Sequence, residues 1–159
     1  SDAHTILTDF NSVVLENLEH NMALNNVDRG ASVSKLDFYA QEGNRSCWVD
    51  GDGVSRDPVD VIVGADIICQ PVDATAVAKS LHDGLRSEGR AFVVCADSKH
   101  RFGVDHLEEE CLRVGLSVKK CPVSDLWGDD EADLDNFRLT TGYVEGMVLT
   151  MFFLEKSKR

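Results

Sequence analysis

The sequence is poor in positive charge. It sets 16 Lys and Arg against 28 Asp and Glu, a formal net charge of −12 at pH 7. That balance excludes a phosphate-backbone partner, because nucleic-acid binders present a basic face. It suits a basic protein or peptide substrate. No apolar run is long enough to span a bilayer and no targeting segment is visible, so no membrane partner is expected. The five cysteines (Cys47, Cys69, Cys95, Cys111, Cys121) are odd in number and scattered. They form no CxxC and no zinc-spaced Cys/His pair, which excludes a zinc site and a disulfide framework. A reduced, cytoplasmic setting follows, with the nucleus also open. No GxSxG or Cys–His arrangement supports hydrolase chemistry, and His100 has no nucleophile beside it. The most telling shortage is of glycine at the start. An acid at the end of an early strand commonly holds adenosine ribose hydroxyls, about 20 residues after a Gly-rich turn. Asp9 ends such a strand, yet no Gly precedes it.

What is present reads as one α/β domain over 1–159, with 43% hydrophobic residues and room for a real core. Thr5 to Thr8 reads as a strand. Asn11 to Asn25 reads as a helix with Val14, Leu15, Leu18 and Met22 on one face. Ala31 to Phe38 alternates as a strand near a sheet edge. Gln41 to Pro58 reads as a surface loop. Its Asp50-Gly51-Asp52-Gly53 hints at a calcium loop but lacks the later Glu and the flanking helices, so turn chemistry is the better reading.

Val59 to Ala65 is continuously apolar and β-branched, the pattern of a strand buried on both faces. Ala74, Val77, Ala78, Leu81 and Leu85 predict a helix after Pro71 that stops at Gly89. Ala91 to Ala96 is a second buried strand. Val104, Leu107, Cys111 and Val114 mark a third helix, stopped at Gly115. Cys95 and Cys111 fall at core positions. Leu116 to Val123 is a mixed strand, Ser124 to Asn136 an acidic loop, and Met147 to Leu154 a last buried strand. Alternation of this kind predicts a mostly parallel Rossmann-like sheet with helices on both faces. No helical pattern separates the last two strands, so they form an antiparallel C-terminal hairpin.

Four acids stand at strand ends: Asp9, Asp37, Asp66 and Asp97. Any one of them is as well explained by helix capping. Together they sit where open α/β sheets bind ligands, beyond the carboxyl ends of strands.

Here the residues resemble a known family. Leu7-Thr8-Asp9-Phe10-Asn11, Val14-Leu15-Glu16-Asn17-Leu18 and Asn21-Met22-Ala23-Leu24-Asn25 resemble the second strand and helix of seven-strand (class I) S-adenosylmethionine-dependent methyltransferases. The likeness is greatest to the branch that modifies protein lysines. Asp60-Val61-Ile62-Val63-Gly64-Ala65-Asp66-Ile67-Ile68 resembles that branch's fourth strand and its acidic motif. Leu36-Asp37-Phe38 resembles the third-strand end, and Gly142-Tyr143-Val144-Glu145-Gly146-Met147 the final hairpin. The resemblance spans Thr5 to Lys156.

The resemblance implies S-adenosylmethionine as cofactor and a protein side chain, of the lysine type, as acceptor. It implies that Asp9 accepts from the ribose and that Asp37 approaches the adenine amino group with Phe38 against the base. Phe10 and Ala65 complete the cofactor set. Asp66 is the implied catalytic residue, orienting the incoming amine, and Cys69 the implied substrate contact; separately, the basic cluster Lys99-His100-Arg101 reads as a solvated loop in preference to a contact for an acidic protein substrate, with Arg101 as a substrate contact shaping the mouth of the site. Two departures stand out. The family's first strand and glycine-rich loop are absent, which implies an N-terminally incomplete domain with exposed strand edges. Cys69 also stands where the lysine branch usually places an aromatic residue.

Three other readings compete. A noncatalytic, methyltransferase-like binding subunit would need neither the loop nor the aromatic. A receiver-like signalling domain would want a second acid beside Asp9, where Phe10 and Asn11 stand. A nicotinamide oxidoreductase would use Asp9 but not the final hairpin. The oligomeric state is not legible.

Overall fold

A computed structural model describes residues 3–27, 29–39, 57–97, 101–126 and 148–158. The chain divides into two compact units, Ser1–Asp57 and Pro58–Arg159. The expected loop over Gln41 to Pro58 lies almost wholly outside the described residues, as do the final hairpin motif and most of the acidic loop.

In the first unit, β1 (Thr5–Asp9) pairs in parallel with β2 (Ala31–Lys35), Thr5 opposite Ala31 and Asp9 opposite Lys35. Between them runs α1 (Ser12–Leu24). Asn11 caps it, its side chain accepting from the backbone N–H of Val13, and Asn25 closes it. Both ends match the expected signals. Leu15, Leu18 and Met22 form a half-buried stripe, while Val14 lies outside it. The strand expected to run to Phe38 ends at Lys35; the backbone N–H of Leu36 makes the last ladder bond, to the Asp9 carbonyl at 3.0 Å.

The second unit is a four-stranded sheet ordered β3-β4-β6-β5. β3 (Val59–Ala65) runs parallel to β4 (Leu85–Asp97). β6 (Val148–Lys156) lies antiparallel between β4 and β5 (Leu116–Pro122). The antiparallel close expected from the sequence is therefore present. Helices α2 (Pro71–Gly84) and α3 (Val104–Arg113) pack against each other on one face. Their inward residues Val77, Ala78, Leu81, Leu107 and Cys111 meet Ala91, Val93 and Cys95 of β4 and Phe152 and Leu154 of β6, all buried. Period 3.6 on the helices and period 2 on the strands build this core. Within this unit no described helix covers the other face, where helices on both faces were expected.

Two further expectations are corrected. β3 is not buried on both faces: Val61 is 52% and Val63 77% exposed. Its β-branched sequence is apolar on either side, but among the described residues the helices cover only one side, and β4 is its sole hydrogen-bonded neighbour. Second, α2 stops at Gly84, not Gly89. Leu85 is already extended and fully buried. The Lys156 ammonium donates to the carbonyls of His82 at 2.5 Å and Leu85 at 2.7 Å, satisfying groups that the helix end would leave open. Arg86 to Gly89 are taken up by a bulge, since Val59 faces Leu85 while Val61 faces Arg90. Glu88 takes a left-handed backbone there (φ 63°), and Gly89 sits where a Cβ would lie 2.9 Å from the Arg86 carbonyl.

Burial pushes the Cys95 thiol from an ordinary 9.0 up to about 11, with the nearby Asp66 charge adding to it. Burial likewise pushes Cys111 up to about 12. Both stay protonated in the fold after the unfolded chain has begun to ionise. The unfolded state then binds fewer protons, so stability falls as pH rises from about 9 toward 11. Urea midpoints at about pH 8 and about pH 10 should show this fall, and a C95A/C111A variant should show a shallower one.

Candidate strand-end sites

Each unit presents acids at the carboxyl ends of parallel strands. In the first unit, Asp9 ends β1 and Asp37 follows β2, and the two strands are neighbours in register. Both carboxylates are held by the same local device. The Asp9 Oδ1 accepts from the backbone N–H of Asn11 at 2.8 Å. The Asp37 Oδ1 accepts from the backbone N–H of Tyr39 at 2.9 Å. These two-residue turns use the short Asp side chain to replace a backbone bond and fix its rotamer. The Oδ2 atom of each has no partner among the described residues. Phe10 follows Asp9 and is 65% exposed, while Phe38 is half-buried beside Asp37. The unit thus sets two fixed acceptors and aromatic surface at one sheet end.

In the second unit β3 delivers Ala65 and then Asp66, and Asp97 ends the neighbouring β4. Asp66 has a left-handed backbone (φ 57°), a conformation costing a non-glycine residue roughly 1–2 kcal/mol. Its N–H makes the last ladder bond, to the Val94 carbonyl at 2.7 Å, and the left-handed turn then carries the chain out of the sheet. Ile68 then turns inward and is fully buried, while Cys69 is exposed. The Asp73 carboxylate accepts from the backbone N–H groups of Cys69 (2.7 Å) and Gln70 (2.8 Å) at the start of α2. Acid at this end is favoured by the helix dipole.

Arg101 closes the loop from the other side. Its Nη1 donates to the carbonyls of Asp66 (3.0 Å) and Ile68 (3.3 Å) and lies 3.4 Å from the Cys69 Sγ. Its Nη2 pairs with the Asp66 carboxylate. The sequence brought Arg101 forward as a substrate contact; the structure turns it onto Asp66 and Cys69. No local signal encodes that pairing, because the partners stand 35 residues apart. The one clue was a cation just beyond a neighbouring strand end. Gly103 was missed altogether. Its N–H donates to the Cys69 carbonyl at 3.1 Å, and a Cβ there would lie 2.1 Å from the Gln70 carbonyl oxygen.

Among the described residues no group of three or more His, Cys, Asp or Glu is placed to hold a metal ion. No described helix is long and apolar enough to cross a membrane. A recess of about 350 Å³ on the open sheet face is lined by Phe92, Phe153, Lys119 and their neighbours. It lies across β4, β6 and β5, and none of the strand-end acids lines it.

The sequence matches no family model and no curated protein. Solved structures do match in fold. A methyltransferase from Pyrococcus furiosus is 15% identical with a TM-score of 0.62, covering 98% of this chain and 64% of that one. An O-methyltransferase from a trans-AT PKS multienzyme of Brevibacillus brevis, in complex with S-adenosyl-L-homocysteine, is 14% identical with a TM-score of 0.61, covering 97% and 59%. A TehB-like SAM-dependent methyltransferase from Corynebacterium glutamicum is 16% identical with a TM-score of 0.58, covering 98% and 68%. The chain therefore spans less than two thirds of the Pyrococcus and Brevibacillus chains it resembles.

Gly103→Ala should drive its methyl into the Gln70 carbonyl and prise apart the loops that carry Asp66 and Arg101. A loss of about 2 kcal/mol or more is expected, read as a lower urea midpoint at unchanged slope.

Proposed function

From its Rossmann-like methyltransferase fold, shared with the solved structures above, we propose that this chain is the larger part of an S-adenosylmethionine-dependent methyltransferase acting on a protein side chain of the lysine type. The observation that carries the reading is the pair of fixed carboxylates, Asp9 and Asp37, at adjoining parallel strand ends. Each offers one free acceptor oxygen among the described residues, and an adenosine offers matching donors. The ribose hydroxyls donate to Asp9 and the adenine amino group to Asp37. Because the backbone already fixes both side chains, little rotamer freedom is lost on binding. Phe10 and Phe38 supply apolar and aromatic surface for the base.

When bound, S-adenosylmethionine supplies an electrophilic methyl group on a cationic sulfonium. The chain's own part is positioning. Asp66 orients an acceptor through a carboxylate oxygen, and its contribution is geometric and electrostatic rather than nucleophilic. Cys69, beside it on the same loop, borders the acceptor. The acidic surface supports a basic protein partner, in a cytoplasmic setting.

A noncatalytic binding subunit is the second reading. Cys69, exposed where the lysine branch usually carries an aromatic wall, favours it.

Calorimetric titration of S-adenosylhomocysteine into the protein separates the two. Binding is expected. Asp9→Ala should weaken it tenfold or more, roughly the worth of a hydrogen bond to a charged group. Asp37→Ala should weaken it too. Absence of binding both by this chain and by a version extended upstream would discard the catalytic reading in favour of the binding subunit.

A further inference from the structure

We propose that Arg101 is the positioning residue of the β3 strand-end site, and that its pairing with Asp66 cancels the charge of that carboxylate, suiting it to an acceptor that arrives uncharged and donates a hydrogen bond. That the ligand is a methyl acceptor rests on the methyltransferase reading; the pairing does not.

The contacts are specific to a guanidinium. One nitrogen holds two carbonyls of the loop while the other pairs with the carboxylate of the same loop. The planar fork of Arg does this in one rotamer, which a Lys ammonium cannot reproduce. Asp66 is thereby held in its left-handed turn from three directions: by Val94 of β4 at its N–H, by Arg101 at its carbonyl, and by Arg101 again at its side chain. Further along, Asp73 and Gly103 fix Cys69. The Asp66 Oδ1 is left without a partner among the described residues. The buried Cys95 thiol beneath feels both charges, Asp66 raising its pKa and Arg101 lowering it.

The charge state has a chemical consequence. A lone carboxylate attracts an ammonium, whose nitrogen has no lone pair to give a methyl group. A carboxylate already paired attracts it far less, yet its free oxygen still accepts a hydrogen bond from a neutral amine or a hydroxyl. Those are the forms that react. A lysine side chain fits this site once it has lost its proton.

Cys69 provides the test, since it is exposed and its Sγ lies 3.4 Å from Arg101. In a C47S/C121S background, its alkylation rates are measured with iodoacetate (anionic), iodoacetamide (neutral) and 2-bromoethylammonium (cationic). The parent sets the reference ratios, to which the Asp73 carboxylate at the Cys69 N–H contributes alike in every variant. R101Q should shift the cationic-to-neutral ratio upward by about fivefold, the effect of one uncompensated charge a few ångström away in water. D66N should shift the anionic-to-neutral ratio upward similarly, and the double variant should return both ratios to the parent values. R101K should keep the ratios while raising all three rates, because the charge stays but the fork is lost. An equal rise of all three rates in R101Q would reduce Arg101 to a structural prop and overturn the proposal. Unchanged ratios in both single variants would show that the pair does not form, and would overturn it equally. None of these readouts needs a cofactor, so failed S-adenosylhomocysteine binding by this chain and by its upstream-extended version would sink the methyltransferase reading and leave them standing.

Discussion

The alternation of side chains along β4 is the constraint on which the second unit depends. Ala91, Val93 and Cys95 point to the helices and are buried, so the residues between them must face the other way. Small side chains at the first and last of these positions let α2 and α3 lie close. Because β4 is also paired on both edges, to β3 in parallel and to β6 antiparallel, its register fixes where both neighbours stop. The position of Asp66 is thus set from the middle of the sheet: Ala65 lies opposite Val94, and the next residue is the first that can leave. Its carboxylate stands where it does because a Val three strand positions before Asp97 holds its backbone.

The two strand-end sites reach order by different physics. At Asp9 and Asp37 the order is local, since each side chain bonds to a backbone N–H two residues on, and any sequence that keeps Asp at the strand exit keeps the geometry. At Asp66 it is long-range, assembled from a strand end, a helix start and a second loop. The first kind tolerates change around it. The second depends on Arg101 and Gly103 together, one making the contacts and the other, by lacking a side chain, letting the loops come close enough for them to be made.

This difference also explains what the sequence disclosed. β3 and both ends of α1 were legible to the residue, because β-branched runs and Asn caps are local signals. The strand-end acids were legible for the same reason. The exposure of Val61 and Val63 was not: apolar alternation tells which residues seek cover, not whether a cover is present. The end of α2 was misplaced because Leu85 continues the helical period, and its burial is satisfied equally well at the start of β4. The earlier end is supported from far along the chain by Lys156, which reaches the carbonyls of His82 and Leu85. The fold class survived these errors, since it follows from the order of elements and not from their exact limits.

The order β3-β4-β6-β5 also has a bearing on synthesis. The strand that completes the sheet is the last of the six described strands to leave the ribosome, and it inserts between two strands made well before it. Until it does, β4 and β5 each carry a bare edge, and Phe152 and Leu154 are missing from the core. Helix α2 meanwhile lacks the lysine that finishes it. A nascent chain stalled short of β6 would hold an open, adhesive sheet, the kind of intermediate that chaperones recognise.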